Sequence, residues 1–232
     1  FAGGAELRAM VFLTIAATVL LAGLTAAPVG SLLGVRLPGR DTVAILGAQG
    51  LGLFLARELE RVGTPVVFVD ANPENVRRVE EAGFRVVFGN ALKERTFSQA
   101  RFYQVRDVVA LTANSMLNGV YVTRSRELFD ISAAYVSLVR GSTGVGRELV
   151  EAGEAQEVFE SSHDVERWDV RDRNGDVQVE HWTFDPPENS VSPATGDSDA
   201  AGERYVILTV TRGSTTRVMS RGFELRPDDV AT

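Results

Sequence analysis

Thr42-Val43-Ala44-Ile45-Leu46-Gly47-Ala48-Gln49-Gly50-Leu51-Gly52 is the stretch on which the reading of this chain turns. Its first five residues are a continuous apolar run, the pattern of a strand buried on both faces of a parallel sheet. Three glycines follow, and then Leu53–Val62, with apolar residues at Leu53, Leu55, Ala56 and Leu59, reads as a helix. Strand, glycine turn and helix in that order form the context of a dinucleotide fingerprint: the glycines let the backbone approach a pyrophosphate, and the helix start offers unpaired N–H groups and the positive end of a dipole. A second apolar run from Pro65 to Val69 ends in Asp70, 23 residues after Gly47, where a carboxylate can accept the ribose hydroxyls. One departure is clear. Gln49 stands where the middle glycine of the fingerprint belongs, with Gly50 just after it.

Outward from this point the alternation continues. Asn72–Ala82 reads as a helix, Phe84–Phe88 as a strand, Leu92–Tyr103 as a short helix, Asp107–Leu111 as a strand, Ser115–Phe129 as a helix and Ala133–Val139 as a fifth strand. Repeated strand–helix units predict an α/β fold, a Rossmann-like doubly wound parallel sheet with right-handed crossovers, whose ligands lie beyond the carboxyl ends of the strands. The residues at those ends are the candidate site: Gly47, Ala48, Gln49, Gly50, Leu51 and Gly52; Asp70 and Ala71; Asn90 and Ala91; Thr112 and Ala113.

The amino-terminal side differs in kind. No charged residue occurs from Ala9 to Val35, and Ala9–Ala27 is almost wholly apolar, interrupted only by Thr14, Thr18 and Thr25. That length matches the roughly 17–25 residues of a membrane-spanning helix. A signal peptide and a buried helix are the competing readings, but export would carry a nucleotide site away from its nucleotides. Arg36 and Arg40 against Arg8 put the carboxyl side in the cytosol. Starting at Phe1 and stopping at Thr232, the chain reads as a piece of something longer.

Composition narrows the function. A net charge of −7 and no basic stripe argue against nucleic acid as a partner, and the absence of cysteine removes disulfide, thiolate and zinc-finger chemistry. There is no Gly-x-Ser-x-Gly elbow and no phosphate loop, and Lys93 is the only lysine. No catalytic residue and no metal ligand is nominated. His163 and His181 lack metal-binding spacing and are taken as surface or strand residues that could meet across a hairpin. Gly141–Gly146 repeats the glycine spacing, but without its strand and acid it reads as a turn. Asn174-Gly175, between Val165–Val170 and Val177–Phe184, reads as a hairpin turn; Asp172–Asp176 lacks the glutamate of a calcium loop. Pro186–Gly202 reads as a disordered insert, and Tyr205–Thr211 and Arg217–Leu225 as two strands about Gly213. Three parts are thus expected: 1–37, a transmembrane helix and linker; 38–160, the nucleotide-binding domain; and 161–232, a small β-rich region.

The pieces VAILGAQGLG, VVFVDANPENV, FRVVFGNALKE and DVVALTANSMLN, within residues 42–118, resemble the RCK or KTN domains, nucleotide-binding regulators of potassium conductance and transport. Asn90 replaces the acid usual after the third-strand glycine, and Ser115 the acid usual after Asn114. The apolar segment ending in GLTAAPVGSLLGVRLP resembles the last membrane helix of bacterial sodium/proton antiporters that carry such a domain as a cytosolic tail. The resemblance implies a homodimer at the bacterial inner membrane, joined to a transporter core and cytoplasmic after about residue 37. It also implies NAD(H) or an adenine nucleotide (ATP, ADP or AMP) as ligand, and control of ion transport rather than catalysis. A membrane-anchored NAD-dependent oxidoreductase and a potassium-channel or potassium-uptake subunit are the alternatives.

Overall fold

The computed structural model describes residues 3–32, 39–139, 141, 143–185 and 205–232. The expected insert at 186–202 and the segment before Gly39 that joins it to Leu32 lie outside the described residues. The chain forms two compact units, Phe1–Gly39 and Arg40–Thr232.

The first unit holds helix α1, Gly4–Leu32, whose 27-residue stretch Gly4–Gly30 contains an 18-residue segment of mean hydropathy 2.2. At about 1.5 Å per residue that length exceeds the roughly 30 Å of a bilayer core. Leu7, Met10, Phe12, Leu13, Leu20 and Leu24 stand exposed all around it, so no polar face exists for water. Its few polar side chains are satisfied internally: the Thr14, Thr18 and Thr25 hydroxyls donate to the carbonyls of Met10, Thr14 and Leu21 at 2.8, 2.9 and 2.7 Å. That is the arrangement an apolar solvent demands.

In the second unit the described residues build a sheet of six parallel strands: β1 (Thr42–Leu46), β2 (Val66–Asp70), β3 (Arg85–Phe88), β4 (Val105–Ala110), β5 (Ala133–Val136) and β6 (Gln156–Glu157). Their order, β3-β2-β1-β4-β5-β6, is the doubly wound one, with its reversal between β1 and β4. Alternation along β1 explains its uninterrupted apolar sequence. Val43 and Ile45 enter one core with Leu51, Leu55 and Phe68, while Ala44 and Leu46 enter the other with Val67, Phe97 and Tyr121. The helices α2 (Gly50–Arg61), α3 (Pro73–Glu81), α4 (Glu94–Gln99), α5 (Ser115–Leu128) and α6 (Val145–Glu151) connect the strands. The expected Leu92–Tyr103 helix is split into α4 and a short 3-10 turn at Phe102–Gln104, because Arg101 is left-handed at φ 54°. The fifth strand ends three residues earlier than expected, where Ser137 and Val139 turn their backbone groups to Asn118 and Ser115. Of the expected turn Gly141–Gly146, Gly141 lies in a turn and Gly144 caps α6, whose first residues are Val145 and Gly146.

One expectation is overturned. Val165–Val170 is not half of a hairpin: Val165–Asn174 is helix α7. Asp164 caps it by accepting from the Arg167 amide at 3.1 Å, Asp169 and Arg173 pair one turn apart, and Val165, Trp168 and Asp169 form the buried stripe. Gly175, left-handed at φ 75° and ψ 19°, ends it. Asn-Gly suits a helix terminus as well as a hairpin, because both need a residue at positive φ. The small antiparallel sheet is instead β7 (Trp182–Thr183), β10 (Val230–Ala231), β8 (Thr209–Arg212) and β9 (Thr215–Val218), in that spatial order. β8 and β9 do turn about Gly213, though as shorter strands than expected.

Two predictions follow from the interior. The fully buried Tyr121 stacks on Phe97 at 5.8 Å, and its hydroxyl has no partner among the described residues. Burial holds its phenol well above the ordinary tyrosine range. Tyr121→Phe removes an unpaired polar atom and leaves the packing, so it is expected to raise unfolding stability by about 1 kcal/mol in chemical denaturation. Asp229 accepts from Arg212 Nε and Nη2 at 2.8 and 2.7 Å and from the Arg226 amide at 2.8 Å. The bonds from Arg212 hold its carboxyl below the usual range. A lowered folded-state value stabilises the fold above the ordinary carboxylate range and loses that contribution as pH falls below it. Melting from neutral pH to about pH 3 is expected to show a falling Tm, and Asp229→Asn, less stable at neutral pH, a shallower fall.

Candidate nucleotide site

The carboxyl ends of β1, β2 and β4 are level, with Leu46 registered on Val69 and on Ala110. The mouth of the doubly wound sheet is therefore framed by the turns that leave these strands. In the first, Gly47 has φ 98°, and a Cβ there would lie 2.7 Å from the Leu111 carbonyl oxygen. A Cβ on Gly52 would lie 2.7 Å from the Gly47 carbonyl oxygen. These two glycines are required by the turn itself, whatever binds there. Gly50 is required by something else, since its hypothetical Cβ would meet Asp172 Cβ at 3.1 Å and Asp169 Cα at 3.3 Å.

Asp70, at the end of β2, ties the turns together. One carboxylate oxygen accepts from the Ala48 amide at 2.8 Å and from Asn75 Nδ2 at 3.1 Å, and the other accepts from the Asn72 amide at 2.8 Å. An ionised carboxylate has about four acceptor positions, so capacity for a ribose hydroxyl remains beside these three bonds. Asp70 faces the glycine turn. Gln49 caps α2 in extended conformation (φ −101°, ψ 177°) without a side-chain cap bond, and its buried Oε1 has no partner among the described residues.

The third and fourth strand ends contribute unequally. Asn90 closes its own turn, Oδ1 accepting from the Leu92 amide at 2.9 Å. The Gly89 amide before it donates to the Asp70 carbonyl at 2.9 Å. Thr112 comes beside Gly47, with its Cγ2 3.3 Å from where that residue's Cβ would be, and its hydroxyl donates to Asn118 Oδ1 at 2.6 Å. Of the remaining candidates, the side chains of Ala48, Leu51 and Ala91 are packed into the two cores, so only their backbones are at hand. Ala71 is exposed beside Asp70, and Ala113 lies exposed beyond Thr112.

Sequence reasoning missed three residues. Asp169 Oδ1 accepts from the Gly50 amide at 3.1 Å, at the first turn of α2. Arg78, on α3, donates to the same Asp169 oxygen at 3.0 Å and to Asp172 Oδ2 at 2.8 Å. The signal that finds them is the cap at Asp164 followed by the apolar pair Val165 and Trp168 at helical spacing, which the adjacent Asn-Gly obscured. The two histidines do not meet. The buried His163 pairs with Glu160 at 2.9 Å, and His181 with Glu58 at 2.9 Å. No group of His, Asp or Glu side chains suited to a metal ion occurs among the described residues. A cavity of about 970 Å³, walled by Leu51, Phe54, Trp168, Ile207 and Leu208, is lined by none of Gly47, Asp70, Asn90 or Thr112.

A parallel sheet in this order, a glycine turn at its switch point and an acid closing the next strand define a Rossmann-type nucleotide-binding fold. Residues 43–159, half of the chain, match the TrkA-N domain, and the chain belongs to that family. No curated protein matches the chain. Among solved structures it is similar to the NAD(P)-binding domain of an exopolyphosphatase-related protein from Archaeoglobus fulgidus, with 22% identity over 58% of this chain and 98% of that one and a TM-score of 0.43. The TrkA-N domain of the inner membrane protein YbaL from Escherichia coli shows 18% identity over 60% and 97%, with a TM-score of 0.43. The GsuK channel bound to NAD shows 20% identity over 65% of this chain and 28% of that one, with a TM-score of 0.42.

The close approach at Gly52 is testable. Its neighbour is backbone and cannot swing aside, so Gly52→Ala is expected to cost about 1–3 kcal/mol of stability in denaturant titration.

Proposed function

We propose that this chain is the nucleotide-sensing part of a bacterial inner-membrane monovalent cation transporter, by its amino-terminal resemblance a sodium/proton antiporter, with residues after about 37 in the cytoplasm. The observation that carries the reading is the Asp70–Ala48 bond, which fixes a glycine turn beside the acid that closes the second strand, at the switch point of the sheet. The bilayer-length apolar helix α1 on the same chain supports the membrane setting. NAD(H) or an adenine nucleotide is the ligand: its diphosphate at the start of α2, a ribose hydroxyl on the remaining acceptor capacity of Asp70, with Asn90 and Thr112 at the rim. The role is regulatory and not catalytic, in a homodimer attached to a transporter core. Coupling between such sites is typically worth about 1–3 kcal/mol, enough to tune transport without driving it.

The test is a thermal-shift panel of NAD, NADH, ATP, ADP and AMP on the full chain in detergent. A ligand at 100 times its Kd adds about 2.7 kcal/mol to folding stability. Asp70→Asn is expected to weaken binding about tenfold, the loss of one charge-assisted hydrogen bond. No stabilisation by any of the five would refute nucleotide binding, and steady NADH oxidation by the purified protein would show an oxidoreductase instead.

A further inference from the structure

The diphosphate end of this site already holds an anion, and it belongs to the protein. One oxygen of Asp169 accepts two hydrogen bonds, from the Gly50 amide at 3.1 Å and from Arg78 Nη1 at 3.0 Å. A backbone amide in the first turn of a helix and an arginine converging on one anionic oxygen are the donor set that binds phosphate. Asp172 holds the other guanidinium nitrogen at 2.8 Å. Gly50 lets α7 come this close, because a side chain there would press against both aspartates. Asp169 is buried, although carboxylates are almost never buried unless paired.

We propose that α7 is a built-in competitor for the nucleotide: its carboxylates at Asp169 and Asp172 occupy the diphosphate position, and a bound diphosphate takes the Gly50 amide and Arg78 in their place. The inference rests on the nucleotide reading above and names how that site is regulated. Three features make the exchange workable. The two carboxylates carry the same formal charge as the diphosphate bridge of NAD, so the site's charge is conserved. Asp169 keeps a counter-ion as it leaves, because Arg173, four residues on in the same helix, already holds its other oxygen at 2.8 Å. Arg78 belongs to α3 and stays behind to bind the ligand. Arg78 thus becomes a nucleotide ligand that α7 masks in the free protein. Occupancy of the site then becomes movement of α7, whose Trp168 is buried against the first core. The phosphate of AMP carries a similar charge on a single phosphorus centre, which spans only one of the two carboxylate positions, so ADP and NAD displace the helix and AMP does not.

Trp168 and Trp182 are the only tryptophans, so Trp182→Phe leaves a reporter on α7 itself. On the full chain in detergent, titration with ADP is expected to shift Trp168 emission to the red, and AMP at the same concentration to leave it unmoved. In binding measurements the double variant Asp169→Asn, Asp172→Asn, isosteric with the native pair, is expected to bind ADP at least tenfold tighter. Arg78→Gln is expected to bind it at least tenfold more weakly, although it breaks the same ion pairs. That opposition separates competition from scaffolding, since a merely structural cluster makes both variants loosen α7 and move ADP affinity the same way. ADP binding with Trp168 unmoved and affinity unaffected by the Asp variants overturns the competitor and leaves the nucleotide reading standing. Binding of neither ADP nor NAD to the native chain or the double variant overturns both.

Discussion

The hydrogen bond from the Ala48 amide to Asp70, 2.8 Å long, is the contact on which the rest of the crevice depends. It ties the turn after β1 to the end of β2, and the same carboxylate continues to Asn72 and Asn75 at the start of α3. Two successive strand–helix units are thereby locked in phase by one side chain. The glycines serve that lock. Gly47 needs a positive φ to bring the turn over Leu111, and Gly52 needs a bare Cα to let α2 start against the Gly47 carbonyl. The charged group that closes the second strand is therefore part of the loop's architecture before any sugar arrives.

A helix start pointed into a crevice creates a demand of its own. Its first amides have no partner within the helix, and burying them unpaired would cost about 1–3 kcal/mol each. In this chain Gln49 makes no side-chain cap bond, and the Gly50 amide is satisfied from outside by Asp169. The acid brings two arginines with it, Arg78 and Arg173. The departure from the dinucleotide fingerprint at Gln49 and the arrival of α7 at Gly50 thus occur at adjacent residues. A backbone amide and an arginine side by side at that helix start favour an anionic acceptor, and in this chain Asp169 is that acceptor.

What could be read from the chain beforehand follows from how local the determining interaction is. The first five strands were legible because each carries an apolar run that ends in a turn, and the sheet's two cores fall directly out of alternation along Val43, Ala44, Ile45 and Leu46, whereas β6, Gln156–Glu157, has no apolar run to report it. Gly47, Asp70 and Thr112 were legible as strand-end residues and do converge. Asp169 was not, because it lies 119 residues from Gly50 and no local pattern reports a contact of that range. The error at Asn174-Gly175 had a different origin. A left-handed residue closes a helix and a hairpin equally well, and the decision lay upstream in the Asp164 cap and the buried stripe Val165, Trp168 and Asp169.

The position of α7 along the chain gives its contact with α2 consequences beyond the crevice. It follows β6, the last strand of the parallel sheet, and leads through Gly175 into the segment that ends in β7, an edge of the small antiparallel sheet. That sheet is joined to the α/β body on its own account, through the Val158–Ser220 bridge and through Leu208 and Val218 in the first core. α7 is thus held at both ends by elements with their own anchorage, while its middle is held to α2 and α3 by Trp168 and by ion pairs. Charge pairs can change partners without loss when one anion replaces another, whereas buried apolar contacts cannot. The exchangeable contacts of α7 are accordingly the ion pairs that surround Gly50, and the buried Trp168 is the contact that resists its movement.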